Sequence, residues 1–133
     1  MTVGERQAPG RRTEVVAPDL AHPQPIPVAV WINDTLHSSP IGPRRSDGTI
    51  PDGVDAQLDS TFANLERLLA AAGATPAQVG FVNVQLSDGS HRSAFNERWV
   101  ALFVDEPRPA RQVTEVKDLH AGVHVLLTLV AYR

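Results

Sequence analysis

The sequence predicts an α+β fold in which two helices lie on one face of a mostly antiparallel mixed sheet, a sandwich of two layers. Two stretches carry the period of a helix, and several short β-branched runs carry that of strands. The 133 residues, 42% of them hydrophobic, suffice for one core and are too few for two. Residues 1–12 are polar, contain Gly and Pro and show no periodicity, which predicts a disordered lead before one domain spanning 13–133.

Val15 and Val16 make 13–17 a short edge strand that stops before Pro18. Alternate prolines in His22-Pro23-Gln24-Pro25-Ile26-Pro27 exclude a helix and predict an extended approach to the next strand. Residues 28–32 and 35–39 read as strands on either side of the turn pair Asn33-Asp34, and so as a hairpin. Gly42, Pro43, Gly48, Pro51 and Gly53 make 40–53 a surface loop. Leu58, Phe62, Leu65, Leu69 and Ala72 then fall on one stripe of a helix over 54–73, closed by Gly73. Asp52, Asp55 and Asp59 at its start suit the helix dipole better than they suit catalysis. Residues 79–86 read as a strand with Val82, Val84 and Leu86 on one face and Phe81, Asn83 and Gln85 on the other. Ser90 is placed to cap a second helix over 91–103 that buries Phe95, Trp99, Leu102 and Phe103.

The last two strands, 108–116 and 123–132, read as an antiparallel hairpin with its loop at 118–121. That register sets Arg111 opposite Thr128, Val113 opposite Leu126 and Glu115 opposite His124, with the first two pairs on one face. A guanidinium among apolar strand residues loses hydration that only an anion can replace. Arg111 is therefore the first candidate for a ligand-binding group, a structural ion pair being the other reading. The sheet face away from the helices has no cover within the chain, which predicts self-association.

Composition excludes several classes. A net charge of -3 and a pI near 5.9 argue against a general nucleic-acid binder. With no cysteine, thiolate catalysis, disulfides and Cys-based metal sites are unavailable. His120 and His124 have the spacing of a helical metal pair, but Gly122 lies between them in what reads as loop then strand, so no metal site is expected. No apolar run approaches the roughly 20 residues of a membrane helix, and residues 1–20 lack the apolar centre of a signal peptide. A cytoplasmic protein without membrane contact is the expectation.

Pro25-Ile26-Pro27-Val28-Ala29-Val30, the pair Ser38-Ser39, Gln57, the run from Asn64-Leu65 to Ala72-Gly73, Phe95-Asn96-Glu97-Arg98-Trp99 and Arg108-Pro109-Ala110-Arg111 occur in an order and spacing that resemble the RidA (YjgF) family. The resemblance spans about residues 25–131. It implies a chorismate-mutase-like fold assembled as a homotrimer, a small carboxylated ligand in a cleft at each subunit interface, and hydrolysis of enamines and imines such as 2-aminoacrylate to 2-keto acids and ammonia. No cofactor is implied. Residue by residue, Arg111 matches the arginine that holds the substrate carboxylate, a bidentate task suited to guanidinium. Asn96 matches a helix asparagine near the cleft, and Ser39 matches a strand-end serine whose following glycine is here Pro40, which has no N–H to offer. His37 stands at a usually aromatic position and reads as a cleft wall. Val113 replaces the family's cysteine and Thr128 its water-handling glutamate. Threonine can orient a water but cannot take its proton at neutral pH. Two readings follow: a hydrolase in which Arg111 anchors and Thr128 orients water, with Ser39, Asn96 and His37 lining the site, or a non-catalytic module that binds a carboxylate in the same cleft.

Overall fold

The computed structural model describes residues 10–120 and 122–133. The pair Asn33-Asp34 turns the chain as expected. Asn33 takes φ of 52°, a left-handed conformation that asparagine tolerates, and joins β2 (Ala29–Ile32) to β3 (Thr35–Ser38) in register Ile32↔Thr35. Ahead of them β1 (Arg12–Val15) pairs with β2 at the sheet edge, Arg12 lying opposite Ile32. Arg12 therefore belongs to the sheet and not to the lead, of which residues 1–9 lie outside the described residues.

Helix α1 (Val54–Ala72) buries Leu58, Phe62, Leu65, Leu68 and Leu69 and ends on Gly73, whose φ of 73° lets its N–H reach back to the last turn. After β4 (Val79–Leu86), α2 (Arg92–Leu102) follows a short 3-10 turn. The cap of that turn is Asp88, whose carboxylate accepts from the Ser90 N–H at 2.8 Å, so the predicted capping role of Ser90 passes to the residue two before it. Bonding to Ser90 holds the Asp88 carboxyl below its ordinary range. Phe95, Trp99 and Phe103 are buried, as predicted, while Leu102 is only half-buried against the same core. Arg98 ties the helices together, reaching Asp59 at 3.0 Å and Asp55 at 3.2 Å. Burial works against its charge, and the two aspartates more than offset that, so its pKa moves upward. Asp55 and Asp59 thus make ion pairs besides facing the helix dipole.

The sheet has six strands in the order β1-β2-β3-β6-β4-β5, all neighbours antiparallel except β4 and β5 (Ala110–Glu115), which run parallel. Here the predicted terminal hairpin fails. β6 (Val125–Tyr132) pairs with β3 and β4, never with β5. Parallel neighbours need a crossover, and α2 supplies it between β4 and β5. Residues 116–124 then carry the chain past the end of β4, held there by Val116 N–H to Leu86 O at 2.8 Å and Ser87 N–H to His124 O at 3.0 Å. β6 is apolar on both faces and takes the centre, whereas β5, with Arg111, Gln112, Thr114 and Glu115, takes the edge. Both helices cover one face, where Val82, Val84, Leu86, Val125, Leu127 and Leu129 are buried. Among the described residues, no helix is long and apolar enough to cross a membrane.

Candidate functional site

Arg111 pairs with Val82 of β4 and so points to the helix side of the sheet. There it meets α2. Its Nη2 donates to Asn96 Oδ1 at 2.7 Å, and its guanidinium carbon lies 4.9 Å from the Trp99 ring centre and 5.4 Å from that of Phe95. Residues 95, 96 and 99 fall on neighbouring faces of one helix turn, which explains why the aromatic pair and the amide converge on one cation. The two aromatic faces attract the cation without neutralising it. Among the described residues, no carboxylate comes within ion-pair range of Arg111. Burial lowers its pKa, and the positive charge of Arg92 adds to the shift. The result is a half-buried guanidinium with one N–H on Asn96 Oδ1 and, among the described residues, no carboxylate to balance its charge. Val113, next on the same side of β5, packs against the core.

Ser39 sits elsewhere. Its hydroxyl donates to Pro27 O at 2.7 Å and its N–H to Val28 O at 3.0 Å. It lines a cavity of about 660 Å³, open to solvent, between the segment 18–24 and the loop 39–50. Two polar residues on α1, Ser60 and Asn64, hold that loop against the helix, and a third, Gln57, holds the chain at 51 and 122. Gln57 Nε2 donates to Pro51 O at 3.0 Å and Gly122 O at 2.6 Å. Ser60 donates to Pro43 O at 2.8 Å, and Asn64 Nδ2 donates to Gly42 O at 2.9 Å and Arg44 O at 2.8 Å. Loop carbonyls that would otherwise be stranded against apolar surface are thereby satisfied. Gly42 packs closely: a Cβ there would stand 2.8 Å from Cδ2 of Leu126, which would have to shift to admit it.

Thr128 and His37 lie on the opposite sheet face from Arg111. Thr128 pairs with Asn83 of β4, and His37 with Val30 and Val130. The predicted Arg111–Thr128 and Val113–Leu126 neighbours are not formed, because β4 lies between β5 and β6. Ser39 is also remote from Arg111: β6 and β4 separate their strands, about 14 Å at ~4.8 Å per strand. One chain therefore splits the predicted residues into two groups. Arg111 and Asn96 stand together, and Ser39, His37 and Thr128 lie apart from them, His37 and Thr128 on the open sheet face and Ser39 just past the end of β3. The β6 side chain that lines the Ser39 cavity is Leu126, which the hairpin register missed. A strand apolar at every position from Val125 to Leu127 was the signal that both of its faces have neighbours.

The histidines form no metal site among the described residues. His124 Nδ1 lies 2.9 Å from Ser87 Oγ, its backbone N–H donates to Gln57 Oε1 at 2.8 Å, and its ring meets His91 edge-on at 5.3 Å. The predicted His124–Glu115 cross-strand pair is absent for the same reason as the others.

With this geometry in place, the chain can be set beside known proteins. A family model described as endoribonuclease L-PSP matches residues 21–133. A RutC family protein of Aquifex aeolicus (strain VF5) is 28% identical over 116 residues, 82% of this chain and 93% of the relative. Another, from Sulfurisphaera tokodaii, is 30% identical over 98 residues, 71% of this chain and 77% of the relative. Among solved structures, RidA from the Antarctic bacterium Psychrobacter sp. PAMC 21119 superposes with a TM-score of 0.85 at 27% identity, covering 92% of this chain and all of that one. The Rid-family protein YyfA of Yersinia pestis reaches a TM-score of 0.87 at 21% identity over 92% of this chain, a likeness of fold.

Proposed function

The chain belongs to the RidA (YjgF) family, the group that the endoribonuclease L-PSP model describes, and on that premise we propose that it is a RidA-like hydrolase of imines or enamines derived from small carboxylated metabolites. The observation that carries this reading is Arg111: a half-buried guanidinium on two aromatic faces, one edge fixed by Asn96, with no carboxylate partner among the described residues. An incoming carboxylate restores the hydration that burial removes and takes two parallel bonds from the free N–H groups.

The proposal includes a homotrimer. Its support is the sheet face away from the helices, where Phe81 and Tyr132 are exposed among Val30, Leu126 and Val130. Because Arg111 and Thr128 lie on opposite faces of one chain, a cleft holding both takes Arg111 and Asn96 from one copy and Ser39, His37 and Thr128 from the next. In that cleft the carboxylate rests on Arg111 and a protonated imine carbon faces a water oriented by Thr128. Water adds its oxygen to that carbon and gives one proton to the nitrogen, the C–N bond breaks, the nitrogen leaves as ammonia, the second water proton passes to solvent so that ammonium is the net product, and a 2-keto acid remains. An iminium carbon is already electrophilic, so positioning is most of what the reaction requires.

A second reading, carboxylate binding without turnover, is favoured by one feature: Thr128 pairs with Asn83, and neither side chain can accept a proton from water at neutral pH. The ribonuclease activity in the family model's name gains no support from a chain of net charge -3. Ammonia release from freshly generated 2-aminoacrylate separates the readings. Acceleration over the spontaneous reaction, lost in Arg111→Lys, is the expected result. No acceleration on this or larger imino acids excludes the hydrolase and leaves the binding module.

A further inference from the structure

We propose that Arg92 is a specificity-determining residue that selects dianions: the substrate is the imine of a 2-keto dicarboxylic acid, with one carboxylate on Arg111 and the second on Arg92. The proposal rests on the hydrolase reading for Arg111 as an anchor, and it adds the charge and the length of the substrate side chain.

Placement comes first. Arg92 opens α2, and residues 92, 95, 96 and 99 fall at the intervals of three and four that share one helix face. Phe95, Asn96 and Trp99 of that stripe are the groups that meet the Arg111 guanidinium. Arg92 therefore stands one turn beyond Asn96, about 6 Å along the helix axis. There the stripe leaves the core, and the residue is exposed. Its charge reaches Arg111, where it acts with burial to lower the pKa. Two cations thus oppose each other on a chain whose formal net charge is -3.

The carboxylates around them are committed elsewhere. Asp88 accepts from the Ser90 N–H at 2.8 Å. Asp55, Asp59 and Glu97 all turn to Arg98. Glu115, at the end of β5, lies under the turn at Gly89, where a Cβ would stand 3.2 Å from its Oε1. Among the described residues, no carboxylate comes within ion-pair range of Arg92 or Arg111. A monocarboxylate balances one of these cations and leaves the other. A five-carbon dicarboxylate separates its charges by a distance of the order of one helix turn, so each guanidinium presents its fork to one carboxylate.

Isothermal titration of the full-length protein with 2-oxoglutarate and 2-ketopentanoate, a diacid and a monoacid of equal length, tests the assignment without requiring turnover. 2-Oxoglutarate should bind at least ~fivefold more tightly, the upper range for one solvent-facing ion pair. Arg92→Gln should close that gap to within twofold while 2-ketopentanoate stays within threefold of the parent. Arg92→Lys, which keeps the charge, should retain at least a threefold preference. Equal affinity for the two acids in the parent, or an undiminished preference in Arg92→Gln, would overturn the proposal. Arg111→Lys tells that failure from failure of the anchor itself. Weakened 2-ketopentanoate there, with no dicarboxylate preference in the parent, removes the role of Arg92 alone; 2-ketopentanoate affinity unchanged in Arg111→Lys removes both.

Discussion

Replacing Gln57 by leucine should destabilise the protein by about 2–3 kcal/mol, although leucine is similar in size and better suited to a buried helix face. Gln57 is 1% exposed and makes three bonds: to the carbonyls of Pro51 and Gly122 and from the N–H of His124. Pro51 is buried as well, so its carbonyl loses its partner with no water to replace it, at about 1–3 kcal/mol. Gly122 is exposed and His124 half-buried, so those groups recover water and cost about 1 kcal/mol each. Leucine returns roughly 1–2 kcal/mol through the apolar surface it buries. Equilibrium urea unfolding, with a slope of about 1–3 kcal/mol per molar, should show the midpoint fall by about 1 M at unchanged slope. Gln57→Glu should do no better, because both carbonyls need a donor and a carboxylate has none. A loss below about 0.5 kcal/mol for leucine would mean that the carbonyls of Pro51 and Gly122 reach water unaided, and the account of Gln57 as their necessary partner would fall.

Other expectations concern single groups. Thr61 is fully buried and its hydroxyl has no partner among the described residues, so Thr61→Val, equally β-branched, should raise stability by up to about 1 kcal/mol; a loss of that size in urea unfolding would place a further partner at the hydroxyl. Sedimentation equilibrium should give three chain masses, and Phe81→Asp on the uncovered sheet face should shift the protein toward single chains; a concentration-independent monomer in the parent would reject the trimer. Thr128→Glu should raise imine hydrolysis in a protein that still assembles as a trimer, and unchanged turnover there would show that a base is not the only missing part.

Much of the fold was legible because local signals agreed with tertiary demand. The stripe Leu58, Phe62, Leu65 and Leu69 located α1 and its end at Gly73, and the alternation from Val79 to Leu86 located β4 and its two faces. The terminal hairpin was misread because the short link after Val116 made pairing of neighbouring strands the simpler choice. Two patterns pointed the other way: strand, helix, strand from Val79 to Glu115 is a crossover unit, and β6 is too apolar to sit beside an edge. That one error moved Thr128 beside Arg111 and hid Leu126 from the cavity. Arg111 and Asn96 were legible separately, but their bond and the aromatic faces beneath them arise only when α2 crosses over β5. The polar stripe of Gln57, Ser60 and Asn64 on the buried side of α1 carried its own signal, since amides on a core face need carbonyls to bind.

The central claim is that Arg111 holds a carboxylate, and titration of pyruvate and 2-ketobutyrate into the parent, Arg111→Lys and Arg111→Met proteins tests it most directly. Loss of a bidentate charge-assisted pair should cost about 2–5 kcal/mol of binding, at least ~30-fold in affinity. Lysine should recover little of it, because an ammonium cannot reproduce two parallel bonds. Equal affinity in all three proteins would contradict the claim and leave Arg111 as a structural cation between Asn96 and the rings of Trp99 and Phe95.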